Sequence, residues 1–403
     1  MRILIVSPRA PWPPIDGGLT RTYRLAQALS ARAEVSLLAL CLDADAPASP
    51  PRAEAPFASY EVAHHPRPKL HKLPILAATY LASRAPFAPL QFRVGGFVQR
   101  IGAMVERGGF DVIQIETALA GANVPQCLFA SSRRPLVVLD AMDVEAQRLR
   151  RQAGLDIGSV ARLFYRAEAR RMAAWEARLL LRCDGALAVS EEDAAALRGM
   201  AAGLRCVVAP NGVDTAKYRP EATPRVADRL LYVGSMDYLP NSDAVRWFAA
   251  DILPAISRQA PSARLQVVGR GGLNLTDLAA SAPVDLCGVA DDLQPDYASC
   301  GVFVVPLRAG GGTRLKILEA LACACPVVST SIGAEGIPVR HGEHLLIADS
   351  AEDFAAAVGS LIADPARARQ LGERGSELVR GRFGWDRVAE GVLAFYEQLL
   401  EKP

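Results

Sequence analysis

Aromatic side chains are scarce. Phe, Trp and Tyr make up 6% of the 403 residues, too few for the stacked platforms that hold single-stranded nucleic acid. Histidine is rarer still, at His64, His65, His71, His341 and His344. The eight cysteines stand apart, with no C-x-x-C pair; the nearest two, Cys323 and Cys325, cannot make a four-ligand site alone. Structural zinc and a disulfide framework are not expected, and the cytoplasm is the default compartment. No run approaches the ~20 apolar residues of a membrane span. The apolar stretch Ile3–Val6 stops before Pro8, short of a signal-peptide core. Charge of one sign is also lacking, since the net charge is only +2. The halves differ, however. Residues 1–210 carry 26 Lys and Arg against 19 Asp and Glu, while residues 211–403 carry 19 against 24. An anionic partner should prefer the first half.

What is present is the balance of a folded globular chain, 51% hydrophobic and 22% charged, and long enough for two cores. Short apolar runs alternate with helical patterns, the mark of parallel α/β units. Strands are expected at Ile3–Val6, Val35–Leu40, Val112–Ile115, Leu136–Leu139 and Ala186–Val189, with a helix from about Thr20 to Ser30. Residues 43–70, rich in Pro and Ala, read as an irregular excursion, and Val144–Arg182 as a long helical segment with nine arginines. After the turn-rich Pro210-Asn211-Gly212-Val213-Asp214, a second set follows at Leu230–Val233, Leu265–Val268, Val284–Leu286, Val302–Val305 and Val327–Val328. The fold class is therefore α/β with two Rossmann-like domains, and a ligand is expected beyond the carboxyl ends of the strands, in the cleft between them.

The most informative segment is Pro306-Leu307-Arg308-Ala309-Gly310-Gly311-Gly312-Thr313-Arg314-Leu315-Lys316-Ile317-Leu318-Glu319-Ala320, which follows a strand and leads into a helix. Glycines let backbone amides approach a ligand, and a helix amino end favours negative charge. Arg314 and Lys316 add two cations, enough for a diphosphate. Glu319, further along the helix, is placed to accept from the vicinal hydroxyls of a ribose. The Walker A spacing is absent, and no G-x-G-x-x-G follows the first strand, which argues against a nicotinamide dehydrogenase. Gly269-Arg270-Gly271-Gly272 begins like that fingerprint but has Asn at 274. Asp43-Ala44-Asp45 reads as a solvated loop, and His64, His65 and His71 as surface.

The Gly310–Glu319 segment resembles the donor site of the retaining GT-B glycosyltransferases of family 4, in the subgroup reading G-G-G-T-R-x-K-x-L-E. Pro14-Ile15-Asp16-Gly17-Gly18 resembles that family's Gly-Gly loop, and Pro210–Asp214 its interdomain turn. Tyr232-Val233-Gly234-Ser235-Met236-Asp237-Tyr238-Leu239-Pro240-Asn241 and Cys287-Gly288-Val289 resemble further family loops. The resemblance runs along almost the whole chain and departs in three places. The family's first glutamate falls on Gly311, its arginine after the first strand of the second domain falls on Ser235, and its acceptor-side histidine on Met142. Asp143, beside Met142, could orient an acceptor hydroxyl; as a residue type it is equally a helix N-cap.

The resemblance implies an acceptor-binding domain over 1–210, a nucleotide-sugar domain over 211–384 and a helix over 385–403 returning to the first. It implies transfer of a sugar, hexosyltransferase-like, from a nucleotide diphosphate sugar to a sugar, lipid-linked or small-molecule acceptor. Anomeric configuration is retained, no metal or cofactor takes part, and the setting is polysaccharide or glycoconjugate synthesis. Asp143, Arg314 and Lys316 are the catalytic candidates. Donor-binding candidates are Gly17, Gly18, Arg21, Ser235, Asn241, Gly288, Val289, Gly310, Gly311, Gly312, Thr313, Arg314, Lys316 and Glu319. Alternatives are a nucleotide-sugar epimerase of the same fold and a non-catalytic or partner-dependent sugar-nucleotide-binding protein. No nucleic-acid partner is expected. The Arg-rich helix, or the mixed basic and aromatic region from Lys69 to Arg107, offers peripheral contact with the inner face of an anionic membrane.

Overall fold

The computed structural model describes residues 1–41, 50, 56–64, 79–80, 82–129 and 134–401. Asp43, Asp45, His65 and His71 lie outside the described residues. Two compact units emerge. The first holds residues 1–150, 159–210 and 385–403, and the second residues 151–158 and 211–384.

In the first unit, β1 (Arg2–Ser7), α1 (Gly17–Leu29), β2 (Glu34–Cys41), β3 (Ser59–His64), β4 (Val112–Glu116), β5 (Leu136–Ala141), α2 (Glu145–Gln152), α3 (Ser159–Leu180), β6 (Gly185–Ala188) and β7 (Cys206–Val208) follow in order. The sheet runs β3-β2-β1-β4-β5-β6-β7, and every pairing is parallel. The central strand β1 is buried on both faces, which is why Ile3–Val6 reads as an unbroken apolar run. The strand order reverses between β1 and β4, so the crevice for a ligand opens beyond Ser7 and Glu116.

The second unit holds β8 (Val226–Val233), α4 (Leu239–Trp247), β9 (Arg264–Val268), β10 (Val284–Gly288), β11 (Cys300–Val305), α5 (Leu315–Ala322), β12 (Val327–Ser329) and β13 (Leu346–Ile347). Its six-stranded sheet, β10-β9-β8-β11-β12-β13, is again wholly parallel. Here the order reverses between β8 and β11. The two loops that leave these strands are Gly234–Tyr238 and Pro306–Arg314, the segments the sequence singles out. The closing helix α6 (Trp385–Leu400) packs on α1 in the first unit, and its Tyr396 hydroxyl donates to Gln114 Oε1 at 2.6 Å.

Three expectations are corrected. The excursion at 43–70 contains a strand, β3, which pairs with β2 over six residues. The helical segment 144–182 is two helices, broken between Gln152 and Ser159. Gly17 and Gly18 are not loop residues. They form the first turn of α1, because the Asp16 carboxylate accepts from Leu19 N at 3.0 Å and caps the helix two residues before the glycines end.

Candidate functional site

In the second unit, the site is built around α5. Arg314 stands at its N-cap position, and no side chain caps the helix, so its first-turn amides keep their capacity for a ligand oxygen. Gly310 at φ 141° and Gly312 at φ 64° turn the preceding loop through conformations that side chains rarely adopt. A Cβ on Gly310 would also meet the Arg314 guanidinium at 2.8 Å. Arg314 is buried, and its guanidinium folds back to donate to the carbonyls of Gly311, Gly312 and Ile332. It is thus a brace for the glycine loop as well as a cation within it. The loop is held from below by Asn211, whose Nδ2 donates to the Thr313 carbonyl at 2.9 Å. The Thr313 hydroxyl is buried, yet it has no hydrogen-bond partner among the described residues. A buried hydroxyl without a partner is uncommon, and a ligand oxygen would satisfy this one.

One turn on, Lys316 donates from Nζ to Asn241 Oδ1 at 3.1 Å and to the Tyr232 hydroxyl at 3.2 Å, with Nζ 4.4 Å from the centre of the Tyr232 ring. Asn241 itself accepts from Tyr232 at 2.8 Å and donates to the Ser235 carbonyl at 2.9 Å. Burial, then the neighbouring Arg314 charge, lowers the Lys316 ammonium to about 7, with Glu319 opposing. Glu319 lies three residues further along α5. Its carboxylate accepts from the Tyr297 hydroxyl at 3.0 Å, and burial raises its pKa. A Cβ on Gly234 would come within 2.8 Å of Asn241 Nδ2 and 2.9 Å of Lys316 Nζ, so glycine there leaves both side chains their positions.

Sequence reasoning missed Arg270. Its guanidinium donates to Ser235 Oγ at 3.0 Å and lies 3.7 Å from Asp237, so a cation from the loop after β9 stands where the loop after β8 has none. The signal was present in Gly269-Arg270-Gly271-Gly272, but only as a failed nucleotide fingerprint. Gly269 N donates to the Gly288 carbonyl at 2.7 Å, which joins Gly288 to the same group of loops. Val289, next to it at the edge of the sheet, is 73% exposed. The structure thus gathers Ser235, Asn241, Gly288, the Gly310–Arg314 loop, Lys316 and Glu319 at the carboxyl edge of one sheet.

The first-unit candidates fare differently. Arg21 is taken up by contacts inside the first unit. It is 1% exposed, donates to both oxygens of the buried Asp140 at 2.9–3.2 Å, and bonds the Pro210 carbonyl at 3.1 Å. Beside this pair, burial and the Asp140 charge push the Glu116 carboxyl up to about 8. It accepts from Thr22 at 2.9 Å and Gln114 at 2.6 Å. Asp143 does not cap α2. Glu176 does, accepting from Glu145 N at 2.9 Å and Ala146 N at 3.1 Å, while Asp143 pairs with Arg148 at 3.2 Å. Met142 Sδ lies 3.6 Å from where a Gly18 side chain would begin, so Met142 and Gly18 share one side of the crevice. Thr117, at the carboxyl end of β4, is held at φ 61°, a strained backbone for a β-branched residue and a mark of sites where geometry matters.

Residues 15–217 match the family model described as Glycosyltransferase Family 4, and residues 227–364 match Glycosyl transferases group 1. Among curated proteins, the chain is 32% identical over 220 residues to D-inositol 3-phosphate glycosyltransferase of Acidothermus cellulolyticus, covering 49% of this chain and 48% of that one. It is 31% identical over 224 residues to the GDP-mannose-dependent alpha-(1-6)-phosphatidylinositol monomannoside mannosyltransferase of Mycobacterium tuberculosis, covering 49% and 56%. The chain therefore spans about half the length of the curated relatives it matches. Among solved structures, sucrose-phosphate synthase from Thermosynechococcus elongatus superposes over 100% of both chains with a TM-score of 0.75 at 20% identity. Anabaena HepE, solved in complex with UDP and glucose, covers 99% of this chain and 100% of its own, with a TM-score of 0.65 at 17% identity. These likenesses establish the fold, GT-B.

Proposed function

The chain belongs to glycosyltransferase family 4, and on that premise we propose that it moves a sugar from a nucleotide diphosphate sugar to an acceptor hydroxyl with retention of anomeric configuration. The observation that carries this reading is the loop at the amino end of α5. Its glycines, the unpartnered Thr313 hydroxyl and the cations Arg314 and Lys316 stand together at the switch point of the second sheet. A diphosphate supplies the negative charge and the oxygens this arrangement lacks. Glu319, held by Tyr297, accepts from the ribose hydroxyls, and Arg270 adds charge beside Ser235.

Catalysis on this reading is electrostatic. As the bond from sugar to diphosphate lengthens, negative charge grows on the leaving oxygen, and Lys316, Arg314 and the amides of the loop stabilise it there. The departing diphosphate takes the proton of the acceptor hydroxyl on the same face of the sugar, so no base is required at Met142. Neither a metal nor a cofactor takes part. The acceptor belongs to the first unit, in the crevice near Gly18, Thr117 and Met142, and is a sugar, lipid-linked or small-molecule hydroxyl of polysaccharide or glycoconjugate synthesis. Support for a nucleotide donor and a lipid-borne acceptor comes from the names of the relatives, one GDP-mannose-dependent and acting on a phosphatidylinositol monomannoside, and from the HepE complex with UDP.

A thermal-shift screen against UDP, GDP, ADP and dTDP tests the donor site. One of the four is expected to raise the melting temperature selectively, through the ~2.7 kcal/mol of stabilisation that a ligand at a hundredfold its Kd confers. The absence of any shift at millimolar nucleotide would overturn the reading.

A further inference from the structure

The helix α3 is 22 residues long, about 33 Å, and carries an unusual outer face. Its exposed positions are Ser159, Val160, Leu163, Phe164, Arg166, Arg170, Ala174 and Arg178, followed by Leu181 just past its end. Val160 is 85% exposed, Leu163 71% and Leu181 66%. Both acids of the helix, Glu168 and Glu176, are turned inward and buried. Beyond Ser159 at its start, the outer face is therefore built of apolar side chains and arginines. Leu163, Arg170, Ala174 and Leu181 fall within about 40° of one another around the helix axis, so they form one line along it. Among the described residues, none of Arg166, Arg170 and Arg178 takes part in an ion pair.

A solvated helix face mixes charges of both signs and hides its leucines. This one carries arginines alone as its exposed charges and shows large apolar side chains at both ends. We propose that α3 is an interfacial helix that lies flat on an anionic lipid surface. Its leucines, Val160 and Phe164 enter the headgroup boundary, and its three arginines pair with lipid phosphates. The charge pattern selects this occupant. A second copy of the chain would set the same arginines against each other, and a nucleic-acid backbone would leave the leucines without an apolar partner. The proposal stands apart from the donor reading, since the face belongs to the first unit and none of its residues is in the nucleotide site.

Sedimentation of the full chain with vesicles, in the absence of nucleotide, tests it. Binding is expected to phosphatidylcholine vesicles containing phosphatidylglycerol and not to phosphatidylcholine alone. Each arginine near such a surface contributes roughly fivefold in affinity, so Arg166→Gln/Arg170→Gln/Arg178→Gln should weaken binding by about a hundredfold. Leu163→Ser/Leu181→Ser should weaken it at least about tenfold on the same vesicles. Both variants should melt as the parent does, because the replaced side chains are exposed. Failure to bind anionic vesicles, equal binding to neutral ones, or unchanged binding by both variants would overturn the proposal. So would a lipid-free dimer that the leucine variant disperses. Because no nucleotide is present, a negative result leaves the donor site untouched, and a failed nucleotide screen leaves this surface untouched.

Discussion

Lys316→Met should lower kcat by roughly 10²–10³-fold while the protein remains folded, the loss expected when a group that stabilises leaving-group charge is removed. The thioether keeps most of the packing against Tyr232 and removes the cation. The same variant should change the pH dependence of nucleotide binding, and the sign follows from the site. In the free protein, burial and Arg314 hold the Lys316 ammonium at about 7. A bound diphosphate favours the charged form, so binding above pH 7 must take up a proton. Affinity should therefore be level below about pH 7 and fall by up to roughly tenfold per unit above it. Lys316→Met should show weak binding without that slope. Arg314→Ala should be at least as damaging, for a different reason. Its guanidinium holds the carbonyls of Gly311, Gly312 and Ile332, so its loss slackens the loop that presents the amides. It should raise KM and lower kcat together, with the nucleotide-induced melting shift gone. A parent-like slope in Lys316→Met would place the titrating group elsewhere.

Arg21→Met should cost the first unit about 3–5 kcal/mol, as removal of one partner from a buried ion pair does. For a unit of this size the melting temperature should drop on the order of 10 °C. The reason is the company Asp140 keeps. It is fully buried, and among the described residues Arg21 is the cation that pairs with it. Replacing both partners, as in Arg21→Met/Asp140→Leu, should recover much of the loss, because the burial penalty then disappears with the charge. The nucleotide-induced shift, which belongs to the second unit, should persist in the single variant. A variant that melts like the parent but binds nucleotide poorly would restore Arg21 to the donor site, as its place after the paired glycines implies.

These two predictions mark what was legible in the chain. The parallel strands could be read because burial on both faces demands unbroken apolar runs, as in Ile3–Val6 or Val302–Val305. β3 could not. It is an edge strand, half-exposed along its length, and Ser59–His64 mixes polar and apolar residues without such a run. The loop before α5 was legible because its chemistry is contiguous, with glycines, cations and acid within ten residues. Contacts made by distant residues were not. Asp140 is 119 positions from Arg21, and nothing in the spacing of either announces a pair. Glu176 caps a helix that begins 31 residues earlier, which left Asp143 as the natural cap for a reader of the sequence. Arg270 reaches Ser235 from the neighbouring strand's loop, 35 residues on. The glycines at 17 and 18 misled for a local reason. They are poor helix formers after a proline-rich stretch, and the Asp16 cap that starts the helix was outweighed by them.

The most direct measurement is the release of nucleoside diphosphate from the donor sugar that stabilises the protein, followed with and without a lipid and carbohydrate fraction as acceptor. The account predicts release that rises sharply with the acceptor fraction, yields a product of the donor's own anomeric configuration, and falls by orders of magnitude in Lys316→Met. Tight donor binding with no release in the presence of acceptor would contradict it and leave a sugar-nucleotide-binding protein.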